Sequence, residues 1–447
     1  MMDRPVAIIG AGIAGLTAAN TLRQNGVSVV LFEAGDQIAG LAKSYVDPGG
    51  FSYDFGAHFI TNRLAEAIGI GDQCRDVKYY GESVRLRGKT FSYPFGLMRV
   101  PRFLRDAVQT KLTAHPEPQN AAEYFRRSYG RALADEVALP LLEAWSGAPA
   151  DQLATSVGNK MSHGIGYTMY LKAMSRWKGL AVSCGYCNEM PENPGVWHVY
   201  PEGGVATACN RLAQPIRDAI QLQSPVEKIF VDNGKAVAVR VNGVDRPVSA
   251  VISTAPCHIL PKLVTGTDAL KPLAAFRYRP MIFVNLRMEG RGVLPDTVLW
   301  TPESEFPFFR LTETIHSMPW LAPEGKTIVT CDIGCEVNDA YWRMPDDQLG
   351  ALCIEHLSKL TSNAAGRYLG CRVLKTPIAY PVFLKSYEAD RVRLEHSTGI
   401  PNLLSIGRNG EFAHILMEDI YWRTTKKMNH LVESIERSGA KALKAAS

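Results

Sequence analysis

Three glycines near the start of the chain have the spacing of a phosphate-binding turn. Gly10, Gly12 and Gly15 form the pattern G-x-G-x-x-G, in which the first glycine allows a tight turn and the second lets the backbone approach a pyrophosphate. The third glycine lets a helix pack close to the preceding strand. Because the N–H groups and the dipole at the start of that helix attract anions, the spacing predicts a dinucleotide site.

The residues around these glycines predict the elements that such a turn needs. Residues 6–9 are an apolar run typical of a buried parallel strand, and apolar residues at helical spacing follow the turn. Glu33 ends the next apolar run, 18 residues after Gly15, where a carboxylate can hydrogen-bond a ribose diol. This unit alone does not say whether the dinucleotide is NAD or FAD.

A Cys-x-x-Cys pair, Cys184 and Cys187, could bind zinc or carry out thiol redox chemistry. Its candidate partners, Cys331 and Cys335, lie in an alternating segment that is typical of small packing residues on one face of a strand. The nine cysteines are an odd number scattered along a long chain. We therefore expect ordinary reduced cysteines, no metal site and a cytoplasmic protein.

The composition of the 447-residue chain excludes several functions. It is 46% hydrophobic and 21% charged, as in globular proteins of about two to three domains. Its net charge of +5 is too small and too evenly spread to indicate a nucleic-acid partner. We expect no transmembrane span, because no run of about 18 uncharged apolar residues exists. Asp3 and Arg4 before the first apolar run argue against a signal peptide. The oligomeric state is not specified.

The segment that contains RVPRFLRDAVQTKL, residues 99–112, predicts a basic amphipathic helix. Its stripe has the helical spacing i, i+3, i+4, i+7, i+8 and i+11, and consists of Val100, Phe103, Leu104, Ala107, Val108 and Lys111. Arginines at positions 99, 102 and 105 lie beside the stripe. Such a helix can lie on a membrane surface, but packing of the stripe against the core is more common. We therefore expect core packing.

Later segments predict a β-meander and a C-terminal helix. The meander begins at Val226, turns at Asn233-Gly234 and Asn242-Gly243, and ends in VISTAP, residues 251–256. Further strands are predicted at 282–288 and 327–333. A late strand then runs into Gly407-Arg408, and a long helix is predicted from Tyr421 to about Ala445.

These elements occur in the same order in one group of flavoproteins. The sequence resembles the FAD-dependent amine oxidase and protoporphyrinogen oxidase superfamily, and within it the branch that contains UDP-galactopyranose mutase. The motifs that carry the resemblance span nearly the whole chain: YDFGAHF (53–59), FSYPFGL (91–97), AWSGAPADQLA (144–154), VYPEGGV (199–205) and IGRNGEFAHILMED (406–419). The resemblance implies FAD, because a nicotinamide enzyme needs neither the distant meander nor the late Gly-Arg turn.

The resemblance also implies cofactor contacts. It places the three turn glycines under the FAD pyrophosphate, Glu33 on the adenosine ribose and the backbone of Val226 at the adenine. Gly407 and Arg408 would approach the pyrophosphate or the ribityl chain. Backbone N–H groups near Met417 and Glu418 would reach the pyrimidine edge of the flavin. The other implied cofactor-binding residues are Ile13, Ala14, Ala34, Gly40, Leu41, Gly56, Ala57 and His58.

One position departs from the family pattern. Where relatives often have Gly-Gly-Arg, this chain has Ala39-Gly40-Leu41. The phosphate clamp therefore lacks that guanidinium, and Lys43 or Arg408 is the candidate to replace it.

Two residues are implied as catalytic. His58 matches the family's Gly-x-His turn beside the isoalloxazine, where a donor can stabilise negative charge on the reduced flavin. Arg310, in FPFFRLTE, corresponds to an arginine that lines the substrate side in relatives, and its fork suits a phosphate or carboxylate. The expected partner is thus a small-molecule substrate that can be anionic. Tyr380 and Tyr421 are weaker pocket candidates.

Together these patterns predict an α/β fold with two domains. A discontinuous Rossmann-type FAD-binding domain is expected from residues 1–75, 195–270 and 390–447, and a mixed α+β substrate-binding domain from 76–194 and 271–389. The expected function is an FAD-dependent oxidoreductase that transfers a hydride from a small organic substrate to flavin. The alternatives are a flavin-dependent isomerase of sugar nucleotides, like UDP-galactopyranose mutase, and a flavin-bearing chain without turnover.

Overall fold

The computed structural model describes residues 4–56, 59–93, 95–158 and 165–446. Its strands are β1 (Val6–Ile9), β2 (Val29–Phe32), β3 (Ser44–Val46), β4 (Ser52–Asp54), β5 (Ile60–Thr61), β6 (Cys74–Asp76), β7 (Glu82–Leu86), β8 (Lys89–Ser92), β9 (His198–Pro201), β10 (Ile220–Gln221), β11 (Val226–Asp232), β12 (Lys235–Val241), β13 (Val244–Pro247), β14 (Ala250–Ser253), β15 (Val264–Thr265), β16 (Tyr278–Glu289), β17 (Val298–Trp300), β18 (Arg310–Glu313), β19 (Lys326–Gly334), β20 (Tyr368–Pro381) and β21 (Leu403–Ser405).

The helices of the same residues are α1 (Ile13–Gln24), α2 (Asn62–Ile68), α3 (Pro101–Leu112), α4 (Ala121–Tyr129), α5 (Arg131–Leu133), α6 (Leu139–Ser146), α7 (Ile165–Lys178), α8 (Ala206–Ala213), α9 (Leu260–Leu263), α10 (Ala340–Arg343), α11 (Asp346–Leu357), α12 (Glu388–His396), α13 (Gly407–Gly410) and α14 (Met417–Ala446).

A five-stranded parallel sheet carries the glycine turn, with the strand order β10-β2-β1-β14-β21. β1 pairs with β2 on one side and with β14 on the other. Both β1 and β14 are buried at every residue, because helices cover one face of the sheet and the meander region covers the other. Distant parts of the chain build this sheet, which confirms the predicted discontinuous Rossmann-type α/β fold. The domain boundaries remain a prediction.

The long C-terminal helix begins one turn earlier than predicted. α14 starts at Met417 rather than at Tyr421, because Met417 and Ile420 already pack in the core that α1 shares with α14. Asp419, in the same first turn, accepts hydrogen bonds from the backbone N–H groups of Asn188 and Glu189, at 2.7 and 3.0 Å. The start of α14 is thereby fixed to a loop of the middle of the chain.

The predicted meander is confirmed in part. β11, β12 and β13 are antiparallel neighbours, and both residues of each Asn-Gly turn have positive φ, as type I′ hairpin turns require. The strand in VISTAP was predicted to close the meander, and this is wrong. β14 instead joins the parallel sheet between β1 and β21, since its short apolar run is buried on both faces.

A second, seven-stranded sheet has the order β20-β16-β19-β18-β17-β7-β8 and contains both parallel and antiparallel pairs. The predicted strands at 282–288 and 327–333 are the centres of β16 and β19. Cys331 and Cys335 are buried in the core between this sheet and α11, which is the packing role that the sequence predicts.

α3 forms where it is expected, but only part of its apolar stripe packs on the core. Phe103 is buried, whereas Leu104 and Val108 are exposed to solvent. The expectation of a core-packed stripe is therefore wrong for half of that stripe, because no element covers this face in the part of the chain that the structure describes. No described helix is both long and apolar enough to cross a membrane.

Candidate cofactor and substrate cavity

A cavity of about 780 Å³ lies at the carboxyl ends of the parallel strands. The residues that follow four of these strands line it: Gly10 after β1, Glu33 after β2, Thr254 after β14 and Gly407 after β21. Ligands of open parallel sheets bind at this edge, where the strand order reverses direction. The fold therefore places the predicted glycine turn and its acidic residue in one site.

The three glycines of the turn do three different things. A Cβ on Gly10 would clash with Thr254, and Gly10 has φ +96°, so this glycine serves the turn itself. A Cβ on Gly15 would clash with the carbonyl oxygen of Gly10, so this glycine lets α1 approach β1. A Cβ on Gly12 would meet no atom of the described residues within 4 Å. Gly12 thus leaves open space in the cavity wall, which fits a bound pyrophosphate.

The carboxylate of Glu33 is held in place by the backbone around it. One oxygen accepts the Ala11 N–H at 2.7 Å and the other accepts the Gly35 N–H at 2.8 Å. Each carboxylate oxygen retains a second lone pair. Glu33 can therefore accept hydrogen bonds from a ribose diol in the cavity without losing its backbone contacts.

Arg408 brings unsatisfied positive charge into the cavity. Its buried Nε and Nη2 atoms have no hydrogen-bond partner among the described residues, and its guanidinium lies 4.7 Å from the centre of the Tyr380 ring. Burial lowers the pKa of Arg408, although Tyr380 acts in the opposite direction. An unpaired buried cation is unfavourable, so the residues present fit an anionic group such as a pyrophosphate. Lys43, the other candidate, lines a neighbouring groove instead.

The structure places most of the other implied cofactor residues on the cavity wall: Ile13, Ala14, Ala34, Gly40, Leu41, Val226 and Met417. Gly15, Gly56 and Glu418 are not among the lining residues. A Cβ on Gly56 would lie 3.1 Å from Phe283, which does line the cavity. The carboxylate of Glu418 accepts hydrogen bonds from Thr61 and Arg63 at 2.9 and 2.7 Å. Ala57 and His58 lie outside the described residues.

Arg310 lines the cavity but is already paired. Its Nε lies 2.9 Å from Oδ2 of buried Asp332, and its Nη2 donates to the same oxygen. Its guanidinium also lies over the ring of Trp300, at 5.6 Å. Burial opposes the charge of Arg310, but Asp332 and Tyr380 raise its pKa above the ordinary value. Because Asp332 neutralises this charge, the described contacts do not support the expected anion binding at Arg310.

Aromatic and aliphatic side chains form the rest of the wall, and the sequence analysis missed most of them. They come from the middle of the chain and from the second sheet: Tyr93, Phe125, Tyr129, Leu141, Leu142, Trp145, Tyr186, Phe283, Trp300 and Phe309. Tyr380 also lines the cavity, whereas Tyr421 lies in a separate groove. The motifs FSYPFGL, AWSGAPADQLA and FPFFRLTE contain Tyr93, Trp145 and Phe309. The other residues lie in no such motif and follow no common period, so the sequence offers no signal for them.

The carboxylate of Glu82 fixes the orientation of one aromatic side chain of this wall. Glu82 accepts a hydrogen bond from Trp300 Nε1 at 2.8 Å and another from the Tyr80 hydroxyl at 2.7 Å. Burial raises the pKa of Tyr80, and nearby Glu82 adds to this effect. The Tyr80 hydroxyl therefore stays protonated and remains a donor. Glu82 thus orients Trp300, and the guanidinium of Arg310 lies over the Trp300 ring.

The Cys-x-x-Cys pair takes no part in this cavity. Cys184 and Cys187 are both free thiols, and Cys187 Sγ accepts the Met190 N–H at 3.3 Å. Burial raises the pKa of both thiols, which disfavours the reactive thiolate. In the described ranges, no group of three or more His, Cys, Asp or Glu side chains has the arrangement of a metal site.

Comparison with known proteins identifies relatives over nearly the whole chain. The family model of flavin containing amine oxidoreductases matches residues 13–407. Protoporphyrinogen oxidase 2, chloroplastic/mitochondrial, of Arabidopsis thaliana is 23% identical over 440 residues, which cover 86% of this chain and 85% of that protein.

Solved structures show the same fold. The crystal structure of reduced UDP-galactopyranose mutase has a TM-score of 0.78 at 18% identity and covers 97% of this chain and 94% of its own. Cyclohexylamine oxidase from Brevibacterium oxydans has a TM-score of 0.72 at 16% identity and covers 97% of this chain and all of its own. At such identities these structures establish a common fold, not a common reaction.

Proposed function

Because the chain belongs to the flavin containing amine oxidoreductase family and its cofactor is FAD, we propose that it oxidises a small, largely apolar organic substrate. Bound FAD would supply a two-electron acceptor for a hydride from a substrate carbon, with dioxygen or another acceptor as the final oxidant. Gly12, Glu33 and Arg408 hold the pyrophosphate and ribose of the cofactor.

The observation that carries this proposal is the composition of the cavity wall. Among the described lining residues, the charged ones are Glu33, Arg310 and Arg408. Glu33 and Arg408 belong to the cofactor side, and Asp332 neutralises Arg310. The other lining residues are mainly aromatic and aliphatic, with the polar side chains of Thr376, Asn409 and His414 among them. Such a wall excludes water and binds an apolar or aromatic molecule through burial of its surface.

The same composition argues against isomerisation of a sugar nucleotide. A nucleoside diphosphate sugar carries two negative charges, which proteins usually bind with arginine or lysine side chains or with several N–H donors. Among the described residues of the substrate wall, Arg310 is the one cation. Arg310 already forms an ion pair with Asp332, so a diphosphate would have to share this guanidinium with Asp332. We therefore rank the isomerase second.

The chain's own residues have distinct roles in the proposed oxidation. Glu82 orients Trp300, and Trp300 with Asp332 fixes Arg310, so one side of the wall is rigid. A rigid wall holds the reacting carbon of the substrate in one orientation. His58 remains a proposed donor to the flavin.

The nine free cysteines support the expected cytoplasmic location.

Turnover by the oxidised holoenzyme tests the proposal. Purified protein is supplied with dioxygen and offered primary amines, porphyrinogens and UDP-galactopyranose in separate reactions. We expect an amine or a porphyrinogen to be oxidised, with reduction of dioxygen or of an added dye. Conversion of UDP-galactopyranose, seen only after reduction with dithionite and without net electron transfer, would replace the proposal with the isomerase.

A further inference from the structure

A second groove, of about 650 Å³, lies where α1, α2, α8 and α14 meet. We call it the helix groove. The described residues that line it are all different from those that line the cofactor cavity. Its volume is in the range of small-molecule sites, which hold roughly 300–1,000 Å³. The groove is therefore large enough for a ligand of its own.

α1 presents a polar stripe to this groove. Thr17, Asn20, Thr21 and Gln24 have the spacing i, i+3, i+4 and i+7, so they share one face of the helix. A helix face that packs between other helices is normally apolar, and other residues of α1 do pack in an apolar core. The stripe thus gives the groove a polar wall at a place where core packing alone would favour apolar side chains.

Two buried polar atoms of this stripe have no partner. Thr17 is 1% exposed, and its hydroxyl forms no hydrogen bond within the part of the chain that the structure describes. The side-chain carbonyl oxygen of Asn20 is likewise buried and unpaired among those residues. Buried polar groups are nearly always hydrogen-bonded, because the loss of water without a replacement is unfavourable. Since both side chains line the groove, a polar ligand there would satisfy them.

The helix groove combines side-chain amides with hydroxyls and carries little charge. Four hydroxyl side chains line it, and so do five amides, those of Asn20, Gln24, Asn25, Gln214 and Asn429. Both kinds of group donate and accept hydrogen bonds. Arg211 is exposed and already donates from Nη1 to Gln214 Oε1 at 2.6 Å. Among the described lining residues Arg211 is the one charged side chain.

Tyr421 adds an aromatic side chain to the opposite wall. Its hydroxyl donates to the carbonyl oxygen of Ala67 at 3.4 Å, so the side chain reaches from α14 to α2. One turn later on α14, the Thr425 hydroxyl donates to the carbonyl oxygen of Tyr421 at 2.9 Å. The Thr425 oxygen retains its lone pairs and can accept a hydrogen bond from a ligand.

We propose that the helix groove binds a small neutral carbohydrate. Each amide can donate to one sugar hydroxyl and accept from another, and the threonine hydroxyls can do the same. An apolar ligand would leave Thr17 and Asn20 unpaired. A phosphate would meet a single guanidinium that Gln214 already occupies, whereas proteins usually hold such anions with several charge-assisted donors. This site does not depend on the reaction proposed above.

Saturation-transfer difference NMR of the FAD-loaded protein tests the proposal. The holoprotein is used because α1 and α14 also line the cofactor cavity, through Ala14 and Met417. Glucose, maltose, sucrose and trehalose are titrated separately. We expect saturable binding of at least one of these sugars. Thr17→Val and Asn20→Ala should each weaken it roughly fivefold, the effect of losing one neutral hydrogen bond.

Thr312→Val is the matched control for Thr17→Val. Thr312 of β18 is also 1% exposed, its hydroxyl is also unpaired among the described residues, and it does not line the helix groove. Thr312→Val should therefore bind sugar as the wild type does, and flavin content and thermal melting check that each variant is folded. The proposal is overturned if the wild type binds none of the sugars, or if Thr17→Val and Thr312→Val bind equally well. Tighter binding of glucuronate than of glucose would also overturn it, because the ligand would then be acidic.

Discussion

Gly12 is the residue at which cofactor binding can be separated from folding. It has φ −76° and ψ −179°, an extended conformation that a β-branched residue adopts readily, and a Cβ there would meet no atom of the described residues within 4 Å. We expect Gly12→Val to fold but to hold at least about tenfold less FAD than the wild type. The ratio of flavin to protein absorbance measures this loss, with circular dichroism as the check on folding.

Gly166 of α7 offers a matched control for this substitution. Among the described residues, a Cβ there also meets no atom within 4 Å, but Gly166 does not line the cavity. Gly166→Val should retain its full flavin content. A yellow, fully loaded Gly12→Val protein would show that the pyrophosphate does not lie against this turn.

Arg408 should affect the free protein and the FAD-bound protein in opposite directions. Its buried Nε and Nη2 are unsatisfied without an anion, so Arg408→Met should raise the melting temperature of the apoprotein. The same change removes a charge-assisted contact to the cofactor, and such contacts are worth about 1.5–3 kcal/mol. FAD affinity should therefore fall by roughly tenfold or more, as measured by titration of the apoprotein.

The control for this variant is Arg343→Met. Arg343 of α10 is exposed and is not among the residues that line the cavity, so its loss should leave FAD affinity unchanged. Equal FAD affinity of Arg408→Met and wild type would remove Arg408 from the cofactor site.

Asp54 gives the protein a pH-dependent stability. This carboxyl is buried, and its partners are Ser44 at 2.6 Å and the Tyr200 hydroxyl. Burial raises its pKa to about 6, although the hydrogen bonds from Ser44 and Tyr200 oppose the shift. The folded protein therefore binds more protons than the unfolded chain between about pH 4 and pH 6, so this group lowers the free energy of unfolding as the pH rises through that window.

Asp54→Asn should remove this dependence. Two pKa units correspond to roughly 3 kcal/mol, so the wild type should gain up to that amount relative to the variant when the pH falls from 7 to 4. Urea unfolding of both proteins at several pH values measures the difference. A constant difference across this range would mean that Asp54 keeps its ordinary pKa.

At the scale of elements, the parallel sheet depends on the end of the chain. β14 pairs with β21, and Ile420, Met428 and Val432 of α14 fill the core against α1. A fragment of residues 1–270 lacks both elements, so it would expose the apolar face of α1 and an unpaired strand edge. We expect this fragment to be insoluble or unfolded and free of flavin. Recovery of a soluble, flavin-loaded fragment would contradict the interdependence of these elements.

The elements also show what a sequence can predict. The glycine turn and Glu33 lie within 24 residues of one another, so local spacing encodes their geometry. The type I′ turns of the meander were predictable for the same reason, because Asn-Gly is a local signal. The position of β14 was not predictable. The residues next to β14 in the sequence indicate a further strand of the meander and do not indicate its pairing with β1 and β21 in the parallel sheet.

The exposed stripe of α3 shows a second limit of prediction from the sequence. The helical spacing of Leu104 and Val108 predicted an apolar face correctly, but periodicity does not reveal what covers that face. The aromatic cavity wall shows a third limit, since Phe125, Tyr186 and Trp300 lie in no recognised motif and come from parts of the chain that meet only in the folded protein. The cofactor half of the cavity was thus predictable from motifs, and the substrate half was not.

At the scale of the whole molecule, the two sheets bring a cofactor site and an apolar substrate wall into one cavity. Oxidation of a small substrate requires that arrangement, because the cofactor and the reacting carbon must share a site from which water is excluded. We therefore expect that the substrate itself reduces the enzyme-bound FAD.

Anaerobic stopped-flow absorbance tests that claim most directly. Oxidised holoenzyme is mixed with an amine or porphyrinogen substrate without any added reductant. We predict that the flavin absorbance is lost with one equivalent of substrate, that deuterium at the donor carbon slows the loss, and that dioxygen or another electron acceptor restores the oxidised spectrum. A flavin that stays oxidised with every such substrate, in a protein that isomerises UDP-galactopyranose once dithionite has reduced it, would contradict the account.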